Sequence, residues 1–215
     1  MKRSYKILAL LLALLLTLGC FTACASKQEE TPAPATDAPA TDEPVKIGCI
    51  LPLSSTAATS GVRIKNAFQM RVDEINAAGG VLGGRPMEVI FEDMGASDPA
   101  LALSAAEKLI HEDNVCAIVG CFSTPCSLAV LDVCEQNELL MLEPIATSPA
   151  LTDGSEWVFR ISPTNELDAS MIAASLPDLG FNKVAYMPVD NDWGISVVDS
   201  YIPHLEAAGA ETVCI

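Results

Sequence analysis

The chain has 215 residues, half of them apolar, with 28 acids against 12 bases and a formal net charge of −16. A surface of that sign repels phosphate backbones and anionic lipid, which excludes nucleic acid as a partner, and two histidines leave little for a metal centre. Three of the 12 bases stand before residue 7, so beyond Ala23 all 28 acids face nine bases.

Lys2, Arg3 and Lys6 open the chain, and residues 7–19 form a run of 13 that is apolar but for Thr17. A mature membrane span needs about 20 residues. A positive start with a shorter apolar run is instead the pattern of a secretory signal. The run leads into Leu18-Gly19-Cys20 and Phe21-Thr22-Ala23-Cys24, where a small residue directly before a cysteine resembles the bacterial lipobox. That likeness implies removal of residues 1–23 and lipid on Cys24, each buried CH₂ adding about 0.8 kcal/mol of membrane affinity. Cys20 is the alternative, with Thr17 a poor third residue upstream of it; an ordinary signal peptide is the competing reading. Residues 25–44 hold four prolines, five acids and no large apolar side chain. Nothing there buries enough surface to offset ordering entropy, which predicts an extended, disordered tether over 24–44.

From residue 45 the pattern alternates. Residues 45–51 read as a buried strand and 54–61 as a loop of small polar residues. Ile64, Phe68, Val72 and Ile75 recur on one face of a helix that stops at Gly79-Gly80. Residues 87–91 form a second strand, and Asp98-Pro99 opens a helix whose buried stripe includes Leu101, Ala105 and Leu109. A third strand follows over 115–119, a helix over 127–137 and a fourth strand over 139–142. Residues 159–163 read as a crossover out of this four-stranded unit. Beyond it come a helix over 166–176, a strand over 183–187, a helix over 195–208 and the start of a strand over 212–215. Strands that are continuously apolar and alternate with helices predict an α/β fold, its parallel sheet covered on both faces.

Ligands of such sheets bind at the carboxyl ends of the strands, which selects the loops 52–61, 120–126 and 144–149. Leu53-Ser54-Ser55-Thr56 lacks the glycine fingerprint of a dinucleotide site, so no cofactor is expected. Six cysteines follow the leader: Cys49, Cys116, Cys121, Cys126, Cys134 and Cys214. Most lie in apolar runs, where they act as small buried apolar residues; mostly free thiols are expected, with one or two bridges left open. Cys121 and Cys126 are five apart, wider than a usual zinc pair and without histidines to complete a site. No base partner is visible for a catalytic thiol.

The residues between those cysteines suit another purpose. Ser123 or Thr124 fits an N-cap and Pro125 a first helical position, so free N–H groups and the helix dipole would face the loop and receive a carboxylate. Thr147-Ser148 brings further hydroxyls at the end of the adjacent strand.

Lys46-Ile47-Gly48, Ala77-Ala78-Gly79-Gly80-Val81, Glu92-Asp93, Ser97-Asp98-Pro99 and Pro144-Ile145-Ala146-Thr147-Ser148-Pro149-Ala150-Leu151 together resemble the leucine/isoleucine/valine-binding protein family. Its members are extracytoplasmic substrate-binding subunits of branched-chain amino-acid-type ABC importers. The resemblance runs from about Lys46 to the end and implies a two-lobed type I periplasmic-binding-protein fold that closes on its ligand: lobe 1 over 45–162 and the start of lobe 2 over 163–215. It places Thr124, beside Ser123, against a ligand carboxylate. The backbone carbonyl of Ile145 would meet an ammonium, Thr147 would use both hydroxyl and backbone, and Trp193 would supply an aromatic from lobe 2. Ser54 and Ser60 belong to the same set, although Ser60 stands where branched-chain amino-acid binders tend to carry an aromatic residue. Ser97 and Ser123 stand where the best-known member has a disulfide. With two strands in its second lobe, the sequence reads as truncated, without the return segments that supply the family's acidic partner for the ammonium.

The function expected is therefore capture of a small zwitterion, an amino acid or related compound, for a membrane permease. The protein would be lipid-anchored outside the cytoplasmic membrane and would catalyse nothing. The alternative is the ligand-sensing domain of a receptor; a hydrolase would need a nucleophile with a base, and neither is visible.

Overall fold

The computed structural model describes residues 43–215; the leader, Cys20, Cys24 and nearly all of the tether lie outside the described residues. The elements are β1 (Val45–Leu51), α1 (Ala58–Ala77), β2 (Met87–Asp93), α2 (Pro99–His111), β3 (Ala117–Val119), α3 (Thr124–Gln136), β4 (Leu140–Glu143), β5 (Val158–Arg160), α4 (Asn165–Leu179), β6 (Lys183–Ala185), α5 (Asp192–Ala207) and β7 (Glu211–Cys214).

Five strands make one wholly parallel sheet in the order β2-β1-β3-β4-β5. The alternation anticipated four strands here. The segment read as a crossover instead contributes β5, which pairs Phe159 with Leu142 and Arg160 with Glu143 before the chain leaves. β6 and β7 pair in parallel as a separate two-stranded sheet against which α4 and α5 pack.

The main core joins Ile50, Ile118 and Met141 of the strands to Ala102, Ala106 and Leu109 of α2 and to Cys126, Val130 and Cys134 of α3. Each of these is at most a few per cent exposed, so each large side chain contributes about 1.5–3 kcal/mol of apolar burial. α2 starts as its sequence promised: Asp98 caps it, its Oδ1 accepting the Ala100 and Leu101 N–H groups at 3.0 and 3.2 Å. On α1, Val72 is buried and Ile64, Phe68 and Ile75 are half-buried, the stripe read from the spacing.

All six described cysteines are free. Cys49, Cys121, Cys126 and Cys134 are buried, but Cys116 is exposed, against the expectation from its apolar neighbours. It precedes β3 at the end of the sheet, with its N–H on the Lys46 carbonyl. In the second sheet, Val184 and Tyr186 pack on a small core of Ala173, Leu176 and Leu205.

Asp93 ties the outer strand to the loop after β1. Its Oδ1 accepts the N–H groups of Leu53, Ser54 and Gly95 at 2.8, 3.1 and 3.0 Å. Burial pushes this carboxyl up, but hydrogen bonds from Ser54, Leu53 and Gly95 outweigh it and hold the Asp93 pKa below its ordinary value. The fold thus keeps the group ionised where the unfolded chain takes up a proton. That stabilisation is complete above the ordinary carboxylate range and is lost as pH falls through the lowered pKa. The expected outcome is that Asp93→Asn unfolds in less denaturant than wild type at neutral pH, with the difference shrinking in acid. Urea titrations at several pH values read it.

Candidate functional site

Two of the three selected loops meet at the carboxyl ends of β3 and β4. Gly120 turns the chain out of β3 with φ 126°, and a Cβ there would stand 2.6 Å from the Ile50 carbonyl oxygen, so glycine alone lets the turn pass this close to β1. Ser123 takes the N-cap position of α3 without a side-chain cap bond, and Thr124 and Pro125 fill the first two helical positions. The helix therefore starts three residues earlier than its apolar spacing indicated, and Thr124 is inside it rather than capping it. Its first turn keeps uncapped N–H groups and the positive end of its dipole. Thr124 is 1% exposed, and its hydroxyl oxygen has no hydrogen-bond partner. Beside it the Ser123 and Ser97 hydroxyls lie 2.7 Å apart, joining the two positions where the resemblance placed a disulfide.

The loop after β4 is organised by Glu143, a fully buried carboxyl. One oxygen accepts the N–H groups of Ile145 and Ala146, each at 2.8 Å, and the other accepts the Ser127 hydroxyl. Ser127 Oγ in turn receives the Cys121 N–H at 3.4 Å. Burial pushes the Glu143 pKa up, against the pull of the hydrogen bonds from Ser127, Ala146, Ile145 and Cys121. Arg160 of β5 donates to the Ser148 carbonyl and the Thr152 hydroxyl, both at 2.7 Å, closing the far side of the loop.

The second sheet faces these loops through α5. Asn191 caps that helix, accepting the Gly194 N–H at 3.0 Å. The indole N–H of Trp193 then crosses to donate to Thr147 Oγ1 at 3.1 Å. Asn165, at the start of α4, gives its backbone N–H to the Thr147 carbonyl at 2.9 Å and its side-chain amide to Ser196 Oγ at 2.7 Å.

Between them lies a cleft of about 700 Å³, within the range of small-molecule sites. Ser123, Thr124, Ile145, Thr147 and Trp193, all read from the sequence, line it together. Ser54 and Ser60 do not. The Ser54 N–H is drawn toward β2 by Asp93, and Ser60 is exposed on the first turn of α1. The sequence reading missed Ser97, Asn165, Asp168 and Tyr201. Asp168 is the single acidic residue among the described lining; an acid in a first helical turn reads ordinarily as a dipole partner, which hid it. Burial first, and then the charge of Asp168, push the Tyr201 phenol up. Among the described residues no cluster of His, Cys, Asp and Glu could hold a metal ion.

A parallel sheet whose loop ends face a second α/β unit across a cleft is the frame of a two-part small-molecule binder. The chain belongs to the periplasmic binding protein family, whose model matches residues 44–214, and its fold is the two-lobed type I fold of that family. A Leu/Ile/Val-binding protein of Rhizobium johnstonii is 32% identical over 171 residues, 79% of this chain and 46% of that protein. A homologue of such proteins in Brucella melitensis is 30% identical over the same shares. The chain thus spans about half the length of the relatives it matches.

Three solved structures share its fold. A leucine-binding protein of Thermotoga maritima superposes with a TM-score of 0.72 at 24% identity, over 80% of this chain and 48% of that one. A solute-binding protein of an ABC transporter from Rhodopseudomonas palustris, in complex with 3,4-dihydroxybenzoic acid, gives 0.71 at 28% identity, over 81% and 47%. The substrate-binding protein of a branched-chain amino-acid transporter from Streptococcus pneumoniae, in complex with isoleucine, gives 0.70 at 26%, over 80% and 49%.

Gly194 fixes how Trp193 reaches Thr147, because a Cβ at 194 would lie 1.9 Å from the Val189 carbonyl oxygen, a backbone atom that cannot swing aside. Gly194→Ala should displace the start of α5 and cost about 1–3 kcal/mol, as overpacking does. In a Trp157→Phe background the emission of Trp193 should shift. Unchanged emission and stability would show that the Val189 segment yields freely.

Proposed function

We propose that this chain is the ligand-capturing part of an extracytoplasmic binding protein that delivers a small carboxylate-bearing solute, an amino acid or a related compound, to an ABC permease. The observation that carries this reading is the buried Thr124 hydroxyl, left without a partner at the uncapped start of α3 and lining the cleft. A buried polar group without a partner costs about 1–3 kcal/mol, and a ligand oxygen arriving there removes that cost. Thr147 completes the carboxylate site. Its hydroxyl oxygen already accepts from Trp193, so its own proton is free to donate. The carbonyl of Ile145 and the carboxylate of Asp168 serve an ammonium, and Ser123 supports the wall. The relatives crystallised with isoleucine and with 3,4-dihydroxybenzoic acid define the two ligand types to try first. No step of catalysis is assigned to the cleft.

Thr→Val at 124 or 147 removes a hydroxyl and keeps the shape. Each should weaken capture of L-isoleucine, L-leucine or 3,4-dihydroxybenzoate, whichever binds, by about 1.5–3 kcal/mol in calorimetry. Thr124→Val should leave the free protein at least as stable, since the hydroxyl it loses has no partner there. Undiminished affinity in both variants refutes the site.

Tethering through lipid on Cys24, with Cys20 as the alternative, would hold the protein at the outer face of the cytoplasmic membrane. Intact-mass spectrometry of the membrane fraction should then find an N-terminal diacylated Cys24. An unlipidated soluble product would overturn the anchor without touching the cleft.

A further inference from the structure

We infer that Glu143 is a positioning residue for this cleft, fastening the loop that carries Ile145 and Thr147 to the first turn of α3, which carries Thr124. The inference rests on the cleft being the ligand site, but its geometry stands by itself. One carboxylate oxygen holds both the Ile145 and the Ala146 N–H. Ala146 N–H and Ile145 C=O belong to one trans peptide and point in opposite directions. Anchoring that N–H therefore aims the Ile145 carbonyl away from Glu143, and Ile145 lines the cleft.

The other oxygen holds Ser127, one turn along α3 from Thr124, and Ser127 receives the Cys121 N–H from the turn that leads into the helix. A single buried side chain thereby ties together the strand end, the loop after it and the neighbouring helix. An apolar residue at 143 would leave two loop N–H groups without their acceptor, that of Ala146 in a buried position.

The same chemistry makes the fastening sensitive to pH. Hydrogen bonds to an ionised acceptor are roughly twice as strong as neutral ones, so taking up a proton loosens the grip on the loop. Burial moves that event above the ordinary carboxylate range. The groups facing Glu143 are Arg160 from β5, whose charge favours the ionised form, Cys121 from the β3–α3 turn, whose thiol burial keeps protonated, and Ser127 from α3, which does not titrate.

The experiment is amide hydrogen exchange and pH titration of the ¹⁵N-labelled full chain, read by NMR at Ile145 and Ala146. In wild type both amides should be protected, and their resonances should move together at a pH above the ordinary carboxylate range. Glu143→Gln keeps an acceptor oxygen, so protection should persist while the titration disappears. Glu143→Ala should raise exchange at both amides by about tenfold or more, with the amides of Cys49 and Ile50 in β1 unchanged.

Should Glu143→Ala fail to fold, Ser127→Ala cuts one limb only, and the Ile145 and Ala146 titration should then move to higher pH as a donor is lost. Amides that exchange freely in wild type, or that titrate identically in Glu143→Gln, overturn the inference. L-Isoleucine capture is measured beside them. If wild type captures none while the amides behave as expected, the choice of ligand has failed and the positioning has not.

Discussion

The loop that carries Ile145 and Thr147 to the cleft is fastened by a carboxyl group that is wholly out of contact with water. A buried acid is expensive to keep, and Glu143 is held by donors from the loop it begins and from the helix beside it, while Arg160 on the adjoining strand acts on it by charge alone. Placing an acceptor there gives the exit from β4 two backbone N–H anchors and a tie to α3. The hydroxyls of Thr124 and Thr147 are then set by the sheet and not by loop chance, since the sites that hold small ligands best are those built on rigid elements. Asp93 does the same for the loop after β1, at the opposite edge and in the opposite electrostatic regime. It is partly exposed and its hydrogen bonds prevail over burial, whereas at Glu143 burial prevails.

The strand and helix order was legible because continuously apolar strands and capped helices leave local signals: Asp98-Pro99, Gly79-Gly80 and the stripe through Val72 all sit where they were read. β5 was not, because Val158-Phe159-Arg160 is short, carries a charge and becomes a strand only by pairing with β4. The start of α3 was missed by three residues for a related reason. Thr124, Pro125 and Cys126 are buried at the meeting of loop and helix, and their role is set by tertiary contacts that no period records.

The site shows the same division. Thr124, Ile145, Thr147 and Trp193 stand in motifs with local meaning, and the structure brings them to one cleft. Glu143 and Asp168 carry no such mark. A glutamate ending an apolar strand reads as the strand's exit to solvent, and it is buried only because the next loop folds back and donates two N–H groups to it. Asp168 reads as an ordinary first-turn acid until the fold brings it to the same cleft as Tyr201 of α5, whose phenol feels its charge. Ser54 and Ser60 are polar residues that the same reasoning selected, but neither lines the cleft: Asp93 holds the Ser54 N–H toward β2, and Ser60 lies in the first turn of α1.

The charges of the cleft also bear on which solutes fit the proposed function. A chain with a net charge of −16 repels a carboxylate at long range, yet surface charge is screened over about 8 Å at physiological ionic strength. Inside the cleft the nearest groups decide, and at the start of α3 these are N–H donors and hydroxyls, with no carboxylate among Ser123, Thr124 and Thr147. Across the cleft stands Asp168. A zwitterion satisfies both ends at once. An anion without an ammonium meets the same α3 donors but leaves Asp168 facing it unneutralised, unless the solute offers hydroxyl donors in the ammonium's place. Sites built to hydrogen-bond a group reject analogues that lack it far more strongly than apolar pockets reject a missing methylene. Under the proposed function, the polar pair formed by the α3 start and Asp168 would therefore constrain the ligand more tightly than the apolar walls of Phe122 and Val197.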